Sequence, residues 1–324
     1  MTIINQTQIA TKHENPRSTG NKGADAYCKT SNEINFNAEA AELARCARLN
    51  LRTPHIQPAE LISFDVSANM LTTRRIMGDE LFLALWNPTG LLGHLRGQQL
   101  PDRATLFQNI EELGQWLSHY HLSSKAPGAG TRGNPSLTSL FHQKLDDTAS
   151  ARLFSRRKIE RLRHRCIGPL GGTHDDQGGF SCQIHGDFIV YNLLLDQELN
   201  LHVLDFGDTR IGNSLEDVAR FYSQLWAMAQ TNSERRRLFL PLLDRFLIAY
   251  GLTPDIVATP RFQALMAYNF VVHLNAQHSM THLLSWNSRR ELNQITQAGL
   301  HWVEKVWMYP SHRPKSNILS ITKK

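Results

Sequence analysis

The 324-residue chain has no apolar run near the roughly 18 residues that a membrane-crossing helix needs, so no transmembrane helix is expected. Its start, MTIINQTQIATKHENPR, lacks a basic segment followed by an apolar one, and no secretory signal is expected there. Cysteine is scarce. Cys28, Cys46, Cys166 and Cys182 are scattered and never form CxxC, which disfavours a disulfide framework or a zinc ribbon and suits reduced thiols in a cytoplasm. His278 and His282 stand at i, i+4, but no Glu follows His278 to complete HExxH, so no zinc is expected. Without GxSxG or a comparable nucleophile setting, a hydrolase finds no support. The basic stretch RRKIERLRHR at 156–165 carries no interleaved aromatics and no nucleic-acid motif. It reads as the solvated face of a helix whose Ile159, Leu162 and Cys166 turn inward, and no nucleic-acid partner is expected.

What the chain does have is an ordinary globular composition, 41% hydrophobic and 20% charged. Single cores stop growing at about 250–300 residues, so two lobes are expected. The net charge of +6 comes from 35 basic and 29 acidic residues. Residues 209–324 hold 14 Lys or Arg against 7 Asp or Glu, so the surplus is C-terminal. Arg235, Arg236 and Arg237 form one cluster and Arg289 and Arg290 another.

The first 75 residues read as a mixed region. Residues 2–10 and 24–30 look strand-like around the turn NPRSTGNKG, and 37–49 reads as a helix with Asn37 as N-cap. Two strands, LISFDV at 61–66 and MLTTRR at 70–75, follow Pro54. Beyond IMGDE at 76–80 the pattern turns helical. Leu106, Phe107, Ile110, Leu113, Trp116 and Leu117 fall at near-helical spacing, predicting a core helix over 103–122. Another helix is expected over 149–165. A β-block at 181–206 contains the strands LLLD at 193–196 and LHVLDF at 201–206. Helices near 215–230, 233–250, 260–280 and 288–308 complete the chain.

The chemistry sits in HGDFIVYN at 185–192 and LDFGD at 204–208. Asp187 lies in a loop between apolar segments, Asn192 precedes one strand, and Asp205 ends the next, so a hairpin brings Asn192 and Asp205 together. An amide oxygen beside a carboxylate oxygen is a normal hard-ligand set for Mg²⁺. Asp187 then stands off the metal, where it can hold and deprotonate an attacking hydroxyl. That division of labour suits phosphoryl transfer. Either tripeptide alone would read as a turn or a strand end; both at this spacing, with apolar strands between, make a strong signal.

On these residues the chain resembles the aminoglycoside phosphotransferase and choline kinase family, small-molecule kinases with the bilobal protein-kinase fold. HGDFIVYNLLLD resembles the family's catalytic loop, with Gly where protein kinases have Arg, and LHVLDFGDTRIGNSLEDVARF resembles its metal-binding segment and following helix. The resemblance implies Asp187 as catalytic base and Asn192 and Asp205 as Mg²⁺ ligands. It also implies that His185 hydrogen-bonds the backbone around Asp205 and that Asp217 ties down the catalytic loop from beneath. Tyr191 departs from the pattern, which usually has a small residue there.

By the same resemblance the N-terminal part supplies a lysine to the ATP phosphates. Lys29 precedes Glu39, on EAAELARCARLNLRTP, by ten residues. At about 100° per residue, Glu39 lies closer than Glu42 to the inward Leu43, so Glu39 is the expected partner. STGNK at 18–22 is the candidate loop over the phosphates, and the backbone from Thr73 to Met77 the candidate adenine edge. The expectation is an α+β, bilobal kinase-like fold: a nucleotide lobe over 1–76, a catalytic and acceptor lobe over 77–310, and a basic tail over 311–324. It would use ATP and Mg²⁺ to phosphorylate a hydroxyl of a small molecule. The basic C-terminal third favours a neutral or anionic acceptor over a polycation. A kinase of a protein or lipid-linked sugar, and a non-catalytic pseudokinase, are the alternatives; intact Lys29, Asp187, Asn192 and Asp205 argue against the second.

Overall fold

Short runs of β-branched and apolar residues separated by polar turns build the first sheet. In the computed structural model, which describes residues 26–31, 36–89, 102–125, 136–171, 179–280 and 286–307, β1 (Ala26–Thr30) and β3 (Leu61–Asp65) pair antiparallel with β4 (Met70–Arg74) between them. Helix α1 (Asn37–Arg48) packs on this sheet, burying Ala40, Leu43 and Cys46. Asn37 is not its N-cap: Phe36 takes that position, with no side-chain cap bond. The turn between β3 and β4 holds the helix start instead, because Asn69 Oδ1 accepts from Phe36 N–H (3.2 Å) and Asn69 Nδ2 donates to Ser31 O (2.7 Å). The expected strand at 2–10, the 18–22 loop and the 311–324 tail lie outside the described residues.

A second sheet joins distant parts of the chain. Strand β2 (Ile56–Pro58) runs parallel to β8 (Leu201–Val203), which pairs antiparallel with β7 (Leu193–Asp196) and through it with β5 (Gly78–Glu80). A two-stranded ladder of β6 (Ser181–Ile184) and β9 (Arg210–Asn213) closes the β-block. Strands β2, β5 and β9 went unpredicted, and β6 was expected only as part of the 181–206 block, because such short runs show no period of two. Strands β7 and β8 are as short but stand out as apolar runs, LLLD and LHVLDF.

The other helices are α2 (Leu81–Trp86), α3 (Arg103–Leu122), α4 (Leu137–Ser150), α5 (Arg156–Gly171), α6 (Leu215–Ala229), α7 (Ser233–Tyr250), α8 (Pro260–Met280) and α9 (Trp286–His301). Helix α3 starts at Asp102, whose side chain accepts from Thr105 N–H (3.1 Å), and buries Leu106, Ile110, Leu113, Trp116 and Leu117. Each such side chain contributes roughly 1.5–3 kcal/mol when fully buried. Gly114 lets α3 approach α7 closely, since a Cβ there would meet Phe246 O at 2.6 Å. The helix expected over 149–165 starts only at Arg156, as α5, and α4 before it was not expected. Helix α4 ends in a left-handed turn at Arg152 (φ 55°), with Leu153 N–H on Thr148 O (3.0 Å), the bonding that usually involves a C-terminal Gly. With Arg in that place, the sequence carried no stop signal. Helix α5 does turn Ile159, Leu162 and Cys166 inward. No helix among the described residues is long and apolar enough to cross a membrane.

Candidate active site

Ladder β6–β9 and hairpin β7–β8 aim both motifs at one place. Ile184 pairs with Arg210, so the HGD loop leaves β6 beside the 3₁₀ turn Phe206–Asp208. Gly186 has φ +82°, and a Cβ there would meet Asp208 O at 2.2 Å, so no larger residue fits between the two loops. His185 Nε2 bonds Leu204 O at 2.9 Å. Asp205 adopts φ 62°, ψ 63°, a left-handed conformation that costs a non-Gly residue of order 1–3 kcal/mol.

Beneath the loop lies Asp217, on α6 and fully buried. Its Oδ2 accepts from His185 N–H (2.7 Å) and bonds His121 Nε2 (3.0 Å), and its Oδ1 accepts from Gly186 N–H (2.9 Å). Burial alone would raise this carboxyl; the bonds from His121 and the backbone outweigh it and hold it below its ordinary value. His121 Nδ1 in turn meets Tyr250 OH at 2.8 Å, linking α3, α6 and α7 under the loop.

Asn192 Nδ2 donates to Asp187 O (2.9 Å) and Asp187 Oδ2 (3.0 Å). With that amide committed to Asp187, the side-chain oxygen is the atom Asn192 can offer a cation. Asp205 adds a carboxylate, so the donor set is hard oxygen, which fits Mg²⁺. The other Asp187 oxygen accepts from a guanidinium N–H of Arg220, on α6. Burial opposes the Arg220 charge, but Asp187 outweighs it and the guanidinium shifts upward. Asp208 stands nearby; burial, then the Asp187 charge, raise its carboxyl.

Lys29 reaches this centre from β1. Its Nζ lies 2.8 Å from Glu39 Oε1 and 3.0 Å from Asp205 Oδ1. Burial would lower the Lys29 ammonium, but the Asp205 and Glu39 carboxylates overcome it and the net shift is upward; burial raises Glu39. Glu42 is buried as well, which the helix angle did not anticipate. Its charge is met by Arg45 (2.6 Å), whose guanidinium lies over the Tyr120 ring and donates to Ser123 Oγ. Thr73 is buried in β4, whereas Met77 is exposed in the link to β5.

A profile of the phosphotransferase enzyme family matches residues 39–257. The chain belongs to this family. Its fold is similar to that of choline kinase LicA from Streptococcus pneumoniae (TM-score 0.54, 14% identity, covering 87% of this chain and 88% of that one). It is similar also to a glucosamine kinase (0.60, 14%, 87% and 73%). A third likeness is to a thermostable mutant of aminoglycoside phosphotransferase APH(4)-Ia in ternary complex with ADP and hygromycin B (0.51, 12%, 87% and 92%). No curated protein matches by sequence. The architecture is therefore the α+β, protein-kinase-like fold of small-molecule kinases, and the protein is a phosphotransferase.

Sequence reasoning missed Arg220 as a partner of Asp187, although EDVAR was in view; an Arg three residues beyond Asp217 lies on the same face of α6 and was the available signal. Tyr191 packs its ring on Phe82 (4.4 Å between centroids). It is not among the described residues lining the cleft between α6 and α8. Arg235, from the first basic cluster, is not a surface charge. It is buried over the Trp86 ring (3.3 Å) and donates to Trp86 O and Thr89 Oγ1.

Proposed function

We propose that this phosphotransferase moves the γ-phosphoryl group of ATP to a hydroxyl of a small molecule, with Asp187 as general base. The observation that carries the reading is Lys29, which meets Glu39, ten residues on, and Asp205, 176 residues on, both at bonding distance. A lysine held between two carboxylates is oriented for phosphate oxygens. The ADP in the complex with the APH(4)-Ia mutant supports a nucleotide donor.

The acceptor oxygen attacks the γ-phosphorus, the bond to the β–γ bridging oxygen breaks, and ADP leaves. The hydroxyl proton passes to the Asp187 carboxylate and then to solvent. Asn192 and Arg220 fix that carboxylate by one oxygen each, so its remaining lone pairs face the acceptor in a defined direction. Asn192 and Asp205 would hold Mg²⁺, which when bound neutralises phosphate charge. Thr73 to Met77 would lie along the adenine. Residues up to 76 would carry the nucleotide, although β2 already belongs to a sheet shared with β8, so the division falls within a joined structure. The cysteines are all unpaired, as fits a cytoplasmic enzyme.

The test is ADP release over sugars, amino sugars, amino alcohols and aminoglycosides, with a nucleotide thermal shift with and without Mg²⁺. Turnover of at least one acceptor, lost in Asp187→Asn while the nucleotide shift persists, is expected. The absence of any nucleotide shift would instead favour a non-catalytic module.

A further inference from the structure

A partly open cleft lies between α6 and α8, with Ile295 of α9 also in its wall. Its lining includes Arg220, Gln224, Asn269 and His273, and Arg220 ties it to Asp187, which does not itself line it. Arg220 is the one charged residue among the described lining, and no Asp or Glu is among it. Two buried polar atoms on these side chains have no hydrogen-bond partner: Arg220 Nε and His273 Nε2. A buried polar atom left without a partner is costly, so a ligand that bonds both gains by satisfying them. Arg220 Nε can only donate. Gln224 spends its carbonyl oxygen on Val190 N–H (3.0 Å), leaving its NH₂ to donate too. Burial and the Arg220 charge lower His273 to about 4, so at neutral pH the ring is uncharged and can offer one N–H.

Arg220 Nε, the Gln224 NH₂ and a His273 N–H offer an oxyanion three donors. These side chains and Asn269 offer an ammonium only the Asn269 amide oxygen, and the nearest carboxylate, Asp187, is already bonded to Arg220. Phe270 is the one aromatic residue in the described lining, too few for a cage around a quaternary ammonium. We propose that the acceptor is an anionic sugar or polyol whose carboxylate or phosphate sits against Arg220 and His273, and that Arg220 thereby positions it for Asp187. One planar guanidinium would then hold the base by one edge and the acceptor by another. The inference rests on the phosphotransferase reading above and adds the charge of its acceptor.

Isothermal titration of the full chain, loaded with Mg²⁺ and a non-hydrolysable ATP analogue, tests it apart from turnover. The probes are D-gluconate, D-glucitol 6-phosphate, neutral D-glucitol and choline. At least one anion should bind about 10-fold or more tighter than glucitol, the equivalent of one added charged hydrogen bond. The more tightly bound anion identifies carboxylate or phosphate. Arg220→Gln should erase the preference, Arg220→Lys should keep part of it, and the His273 ring signals should shift with the anion in NMR. Should Arg220→Gln fail to fold, His273→Asn must weaken the anion alone. Equal or tighter binding of glucitol or choline overturns the proposal, as do anions that fail to bind the nucleotide-loaded protein or bind folded Arg220→Gln unchanged. Failure to bind the ATP analogue would instead sink the parent reading.

Discussion

Replacing Asp217 by Asn changes no volume and removes one charge from beneath the catalytic loop. The carboxylate receives three donors, two on Oδ2 and one on Oδ1. An amide offers one oxygen and one NH₂. Its better orientation keeps the oxygen on His185 N–H and His121 and turns NH₂ against Gly186 N–H, leaving two donors face to face. That buried, unmet N–H costs about 1–3 kcal/mol, and the two surviving bonds lose their charge assistance, roughly 1 kcal/mol each. The total is about 3–5 kcal/mol, in line with the removal of one partner from a buried charged set. Equilibrium urea unfolding should show it. Because Gly186 adjoins Asp187, kcat should fall as well, whereas KM for ATP should hold, since Lys29, Glu39 and Asp205 are untouched. His121→Ala should cost less in the Asp217→Asn background than in the wild type. Stability within 1 kcal/mol of wild type together with full kcat would refute the reasoning.

Asp187→Asn should lower kcat by about 10²–10⁴ without loss of nucleotide binding, the usual cost of removing a general base; near wild-type turnover excludes that role. Lys29→Ala should impair turnover at saturating ATP, and the Lys29→Ala, Glu39→Ala pair should fall short of the sum of the singles; strict additivity would show that the 2.8 Å contact does no joint work. Asp205→Ala should weaken Mg²⁺-dependent nucleotide binding more than Asn192→Ala, because a charged ligand is lost, and the reverse order in metal titrations would overturn the ligand assignment. His273, lowered from 6.5 to about 4, binds its proton more readily when unfolded. Its contribution is therefore complete above pH 6.5 and is lost as pH falls to about 4, up to roughly 3 kcal/mol; His273→Asn should flatten that part of the urea-stability profile.

Where the sequence was legible, local signals agreed with tertiary ones. Helix α3 runs over the predicted 103–122, because its apolar spacing and its Asp102 cap coincide. Strand LLLD at 193–196 and the helices at 215–229, 233–250 and 260–280 were also read within a residue or two. The failures have two causes, one distant and one local. Strands β2 and β5 exist because β7 and β8, far along the chain, supply their hydrogen bonds. The α4–α5 break exists because Arg152 accepts a conformation that Gly would have announced. The candidate site divides in the same way. The hairpin read from HGDFIVYN and LDFGD runs Asn192 beside the Asp205 strand, with Leu204 N–H on Asn192 O (2.9 Å), and helix angle selected Glu39, whereas the Asn192 bonds to Asp187 were not anticipated. The angle said nothing of Glu42, which is buried because Arg45 and Tyr120 receive it.

The basic C-terminal third shows how far composition can be trusted. Its surplus suggested an acceptor that is not a polycation, with the Arg235–Arg237 cluster near the entrance as one reason. The structure weakens that reason: Arg235 is an internal strut on Trp86, which leaves Arg236 and Arg237 as the exposed members. A net charge spread over a surface acts weakly on a ligand, because salt screens it over about 10 Å. Arg220 acts differently. It carries one charge, but its side chain is only 17% exposed, touches the base, and lines the cleft where an acceptor would approach. A single largely shielded guanidinium at contact outweighs many screened ones at a distance. The expectation of an acceptor without positive charge therefore rests on Arg220 and the donors around it, and it stands or falls with that side chain whatever the pI of the chain.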